Sequence, residues 1–333
     1  MSTQRVENKE RVYDFSNKIH DATPESIEAV LEEYYTDDVD WYGPAPIDDL
    51  DGVETVAEEY WKPLLESFPD LQQNDYTLFG GEYDGSEWVM TTGNLVGTFE
   101  NDWLGIPATG HATWLRYGAF HKFEDGEIVQ TRLILDVLDA IRQAGYTLVP
   151  ALAPEVVIPG PATQDGIILG ESDANESEQT MALVEEMLFN GLNTFEEKGL
   201  ENMGMERYWH EEFMWYGPAG IGTTRGIDGF REYHQNPFLE VFPDREVAEP
   251  QLCRIAEGNY CASTGWPDVV GTHTGSGWLG LPATGTEVEM RVIDVWRREG
   301  DKLAENWVFI DMLDLLDQFG IDVLEQLEKG QTF

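Results

Sequence analysis

Trp103-Leu104-Gly105-Ile106-Pro107-Ala108-Thr109-Gly110 returns as Trp278-Leu279-Gly280-Leu281-Pro282-Ala283-Thr284-Gly285, 175 residues later (278 minus 103). Convergent turn chemistry explains a shared Pro-Gly pair, but not an eight-residue block holding a Trp. Working outward, Trp41-Tyr42-Gly43-Pro44 recurs as Trp215-Tyr216-Gly217-Pro218 and Phe68-Pro69-Asp70 as Phe242-Pro243-Asp244, both at an offset of 174 (215 minus 41). Arg116 with Arg291, Asp136 with Asp311 and Asp139 with Asp314 keep the offset of 175. Self-similarity at a fixed period is the signature of duplication, and 333 residues suit two domains. The boundary falls at 147–176, where Pro150, Pro154, Pro159 and Pro161 interrupt any helical period, so this stretch reads as a packed connector between halves 1–146 and 177–333.

In each half, helices come first and strands follow. Residues 5–20 and 25–35 have helical spacing, the second opened by Thr23-Pro24-Glu25, and 177–197 and 201–210 play the same parts. A third helix, 53–66 and 227–240, follows the WYGP motif. Strands are expected at 73–82, 87–99, 111–124 and 127–137, and again at 250–256, 259–271, 286–298 and 302–313, with Gly81, Gly85 and Asp125-Gly126 as turns. Helices on one side of a curved, mostly antiparallel sheet make a cone-shaped α+β barrel with a pocket between the layers.

Twenty Lys plus Arg against 64 Asp plus Glu give a formal charge of −44. That surface argues against nucleic acid and against an anionic membrane, since both need a basic patch. It suits a marine or halophilic setting, where salt screens self-repulsion. Residues 1–10 are polar and lack the apolar core of a secretory signal, which points to the cytoplasm. Cys253 and Cys261 flank Glu257 in an expected hairpin and could face each other, although free buried thiols suit a reducing compartment better.

The order of WYGP, WLGxPATG and a closing strand that ends in Asp before a Leu-Leu pair resembles the SnoaL-like polyketide cyclases of the NTF2-like superfamily. The second half carries the fuller likeness, with Arg291 to Arg298 (RVIDVWRR), Gly300 to Trp307 (GDKLAENW), Asp311 and Leu315 to Gly320. The first half keeps Gly126-Glu127-Ile128-Val129 and Asp136 but has Ala119 in place of Asp294 and Arg132 in place of Trp307. The resemblance implies two cone-shaped domains packed as an internal pseudo-dimer, sufficient as a monomer or paired further as a homodimer. It also implies an acid/base Asp at the end of the last strand, with cyclase or isomerase chemistry beside a carbonyl.

Residues two apart on a strand share a face, so Gln130, Arg132, Ile134 and Asp136 line one side of the last strand, matched by Glu305, Trp307, Phe309 and Asp311. If that side is the cavity, each half presents a carboxylate whose pKa an apolar pocket would raise into the working range of a base. Asp is equally a favoured helix cap, and a Leu-rich helical stretch follows each of these two. His111 and His121 share a parity on the strand 111–124, so the first half alone offers a His to polarise a carbonyl oxygen. Arg132 could instead lower the pKa of Asp136 or hold an anion. Trp41, Tyr42, Trp103, Trp114, Trp215, Tyr216, Trp278 and Trp307 suit a planar hydrophobic or aromatic ligand, or else the core, and Asp294 is a further ligand candidate. The six His never take the spacing of a helical zinc motif, and no phosphate loop, dinucleotide fingerprint or nucleophile elbow occurs, which leaves cofactor-free chemistry or none. Two competing expectations remain: a non-catalytic carrier or sensor, and epoxide hydrolysis by an Asp and Arg pair.

Overall fold

The computed structural model describes residues 3–192, 203–248 and 253–330. It divides into two compact units. One is built from the chain up to Thr147, with Pro159–Glu171 and the segment that starts at Asp322; the other comprises Leu148–Ile158 and Ser172–Ile321. The stretch 147–176 is thus shared out: Leu152 and Ala153 donate to the carbonyls of Gly220 and Ile221 in the second unit, whereas Leu78 donates to the Gly166 carbonyl in the first.

The first unit holds β1 (Tyr35–Tyr42), β2 (Leu50–Asp51), β3 (Gln72–Tyr83), β4 (Ser86–Thr98), β5 (Ala112–Glu124) and β6 (Glu127–Leu135) in the order β2-β1-β6-β5-β4-β3. The second holds β7 (Trp209–Tyr216), β8 (Thr223–Arg225), β9 (Glu246–Val247), β10 (Cys253–Glu257), β11 (Tyr260–Thr272), β12 (Glu287–Glu299) and β13 (Lys302–Ile310), with main path β10-β11-β12-β13-β7-β8. Each path is open, so the fold is α+β with curved sheets and not closed barrels.

Sequence periodicity locates the long antiparallel strands to within a few residues. It misses β1 and β7, which run parallel to β6 and β13 and occupy the WYGP stretch together with residues expected to be helical. Gly81 lies inside β3, while Asp84-Gly85 and Asp125-Gly126 form the turns at positive φ. The expected helix 177–197 is Ala174–Glu186 continued by a π-helical turn at Met187–Gly191, with residues beyond 192 outside the described part. Cys253 pairs with Thr264, and Cys261 with Ala256, because the hairpin turns at Gly258-Asn259; both thiols are free and buried. Among the described residues no helix is long and apolar enough to cross a membrane.

The repeated motifs turn out to be fastenings. In WYGP, a Cβ on Gly43 would lie 2.0 Å from the Trp41 ring, and one on Gly217 would lie 2.3 Å from the Trp215 ring. Only Gly lets the indole fold back over its own chain. Gly43→Ala should therefore lower stability by about 2 kcal/mol or more, read as a shift in the denaturant midpoint. Asp70 accepts from both the backbone and the hydroxyl of Thr98, as Asp244 does from Thr272, and these bonds hold both carboxyls below the usual range. In WLGxPATG, Leu104-Gly105 and Leu279-Gly280 form tight turns with positive φ at both residues, with Trp103 and Trp278 buried beneath.

Candidate functional site

The last strand of each unit decides where chemistry can occur. In the second unit, Asn306, Val308 and Ile310 of β13 line a cavity of about 190 Å³; in the first, Thr131 and Leu133 of β6 line one of about 30 Å³. This is the parity opposite to Gln130-Arg132-Ile134-Asp136 and Glu305-Trp307-Phe309-Asp311. A one-residue difference exchanges every side chain between the two faces of a strand.

Asp136 and Asp311 line neither cavity. Each caps the helix that follows, accepting from the backbone amides of Asp139 and Asp314 respectively, and Asp311 also pairs with Arg291 at 3.3 Å. Their recurrence in both halves follows from the shared cap. Asp311→Ala should cost about 1 kcal/mol or somewhat more for cap and ion pair together, measured by chemical unfolding.

The other sequence candidates scatter. His111 is exposed and precedes β5. His121 lines the small cavity edge-on to Tyr35, bonds Thr131 Oγ1 at 2.9 Å, and is pushed down to about 3 by burial, so it is neutral. Trp41 lines the small cavity and Trp215 the large one. Tyr42 and Trp88 hold the Arg132 guanidinium over their rings, and Tyr216 stacks on Trp307 at 5.5 Å. Neither Arg132 nor Trp307 lines a cavity. Trp114 is exposed, and Trp103 and Trp278 belong to the core.

Asp294 does face the large cavity, and a second carboxylate, which sequence reasoning missed, joins it there. Asp268 stands in a bulge of β11. His121 pairs with Val89 and Leu115 with Leu95 in an uninterrupted β4/β5 ladder; the matching Trp296 pairs with Cys261 and Met290 with Val269. The offset between β4 and β11 therefore changes from 172 (261 minus 89) to 174 (269 minus 95), so β11 takes in two extra residues between Gly265 and Val269. There the chain passes through the cis Trp266-Pro267 bond and turns Asp268 into the cavity wall. Bulges re-aim side chains in this way. A Cβ on Gly265 would lie 2.5 Å from the Asp268 Cα, so the bulge needs Gly. Pro267 inside a strand pattern was the available signal for it.

Burial raises the pKa of both carboxyls, Asp294 to about 7 and Asp268 to about 8. For Asp268 the nearby Asp294 charge adds to the rise, while Arg254 opposes it. Asn306 donates to Asp294 Oδ1 at 2.9 Å, which fixes the carboxyl and favours its ionised form. Since the Asp294 charge helps Asp268 to hold its proton, the arrangement places an ionisable carboxylate beside a carboxylic acid near neutrality. The first unit has Ala119 where Asp294 stands and Thr131 where Asn306 stands. It keeps a different, half-buried acid, Asp75, which accepts from Tyr117 and Gln73 and whose pKa is raised by desolvation. Tyr117 and Gln73 line the small cavity, but Asp75 does not.

Each unit is thus an open, curved α+β sheet with a cavity beside it, as in SnoaL/NTF2-like domains. The chain belongs to the SnoaL-like polyketide cyclase family, whose profile matches residues 13–144 and again 193–319. Among solved structures it is similar to a protein from Jannaschia sp. CCS1 assigned to the SnoaL-like polyketide cyclases (20% identity, 44% of this chain and 97% of that one, TM-score 0.38). It is also similar to IdmH of Streptomyces antibioticus, assigned as a polyketide cyclase (20% identity, 40% and 98%, TM-score 0.34), and to an NTF2-like protein of Burkholderia xenovorans LB400 (16% identity, 43% and 97%, TM-score 0.33). A search among curated proteins finds no match.

Proposed function

We propose that the second unit catalyses proton transfer at carbon beside a carbonyl of a small, largely apolar and cyclic substrate, leading to ring closure or isomerisation without a cofactor. The observation that carries this reading is the pair Asp294 and Asp268 in one cavity, their pKa values raised to about 7 and about 8. Asp294, oriented by Asn306, is the base that removes the proton α to the carbonyl. Asp268 is the acid that gives its proton to the carbonyl oxygen, leaving a neutral enol. In ring closure the enol carbon attacks a second carbonyl; the new alkoxide takes a proton from the Asp294 carboxylic acid, and the former enol hydroxyl returns its proton to Asp268. Rings of Trp215, Phe230 and Phe238 supply flat apolar walls. The first unit is assigned a supporting part, and a solution mass of one chain is the expected assembly.

The test is deuterium uptake by 1-tetralone, a bicyclic ketone, followed by proton NMR in D2O. Faster uptake with the native chain than with Asp294→Asn supports the assignment, and equal rates refute it. Binding of the ketone with no exchange above background favours a carrier. Gly265→Ala is expected to reduce exchange substantially, because the bulge that presents Asp268 cannot accommodate a Cβ.

A further inference from the structure

The cavity carries polar groups that the proton transfer does not use. Gln235 is only 4% exposed and lines the cavity, yet neither its Nε2 nor its Oε1 has a hydrogen-bond partner among the described residues. Because both ends of the amide lack a partner, the conclusion holds for either orientation of the group. Adjacent His234 lines the same cavity. Its ring stacks on Trp215 at 4.1 Å, and its Nδ1 also has no partner among the described residues. A buried amide with neither donor nor acceptor satisfied is costly, and such groups await a ligand or water.

Comparison of the two units sharpens this. At the offset of 174, His234 and Gln235 replace Tyr60 and Trp61, which line the small cavity and pack on each other at 4.9 Å. Both pairs lie at the end of a π-helical turn, Ala57–Trp61 and Arg231–Gln235. Two aromatic rings in one unit are thus exchanged for an imidazole and a primary amide in the other. The helical wall of the large cavity gains room and a donor and acceptor side by side, while Asp294 and Asp268 stand on the sheet wall.

We propose that Gln235, with His234 beside it, is a specificity subsite for a substrate that carries, apart from its reacting carbonyl, a group presenting a donor and an acceptor together, of which a primary carboxamide is the simplest. This rests on reading the cavity as the ligand site, and its test needs no turnover. Affinities of 2-naphthamide, methyl 2-naphthoate and naphthalene are measured by quenching of tryptophan fluorescence, with the native chain and with Gln235→Met and Gln235→Leu, each variant first checked for a native-like melting transition. The carboxamide is expected to bind about tenfold or more tighter than the ester and the hydrocarbon. Gln235→Met, which keeps the volume, is expected to remove that preference and leave naphthalene binding unchanged. Equal affinities of the three probes for the native chain, or a preference that survives in both variants, would overturn the subsite alone. Failure of all three to bind would overturn the cavity reading and the subsite with it.

Discussion

Asp294→Asn is expected to reduce exchange at the α-carbon by about 10²- to 10⁴-fold, the usual contribution of a positioned general base. Asparagine keeps the shape and can still meet Asn306, so the loss reports the missing base rather than a collapsed wall. The same change at Asp136 or Asp311 should leave the rate nearly unaltered and lower stability instead, because those carboxylates hold helix ends. The rate profile should peak between about pH 7 and pH 8, where Asp294 has ionised and Asp268 keeps its proton. Asp268→Asn should remove the upper limb of that profile. A profile that stays flat from pH 5 to pH 9, or a rate unchanged in Asp294→Asn, would refute the pair.

The second large effect concerns stability. Burial lifts the pKa of Asp268 from 3.8 to about 8. In the folded chain this group therefore still holds its proton at neutral pH, whereas the unfolded chain has released it. The folded state binds more protons between about pH 4 and pH 8, so this residue makes stability fall across that interval and contributes no further slope above it. Asp268→Asn lacks the titration. Relative to the native chain it should gain on the order of 5 kcal/mol by pH 8, with little difference at pH 4, as measured by chemical unfolding at the two values. A difference that is constant with pH would mean that the carboxyl is ionised in the folded chain.

The two predictions also mark how far the sequence could be read. Duplication, the α+β order and the long hairpins were legible because they rest on features that recur: Gly under a folded-back indole, Asp tied to Thr, a Leu-Gly turn. Recurrence finds scaffold, since both halves need the same fastening at the same place. The candidate site lies where the halves part company, at Ala119 against Asp294, Thr131 against Asn306, and Tyr60-Trp61 against His234-Gln235. Asp294 was within reach through the family signature, as a ligand candidate beside Asp136 and Asp311. Asp268 was hidden because a bulge breaks the period-two rule that assigns faces, and β1 and β7 were hidden because short parallel strands carry little alternation of their own.

The π-helical turns have a consequence for how such a chain can change. A π turn holds one residue more than the α turn it replaces, and each residue of an α-helix advances by about 100°. Deleting one residue from Arg231–Gln235 would let an α turn close in place of the π turn, so that the preceding segment Gly226–Phe230 and the following segment Asn236–Val241 keep nearly their present faces and the change falls on the turn itself. His234 and Gln235, which stand in the turn and face the cavity, would be re-aimed without any substitution. A length change at this turn is therefore a single mutational step that remodels this wall of the cavity, and sequence comparisons that score only substitutions would pass over it.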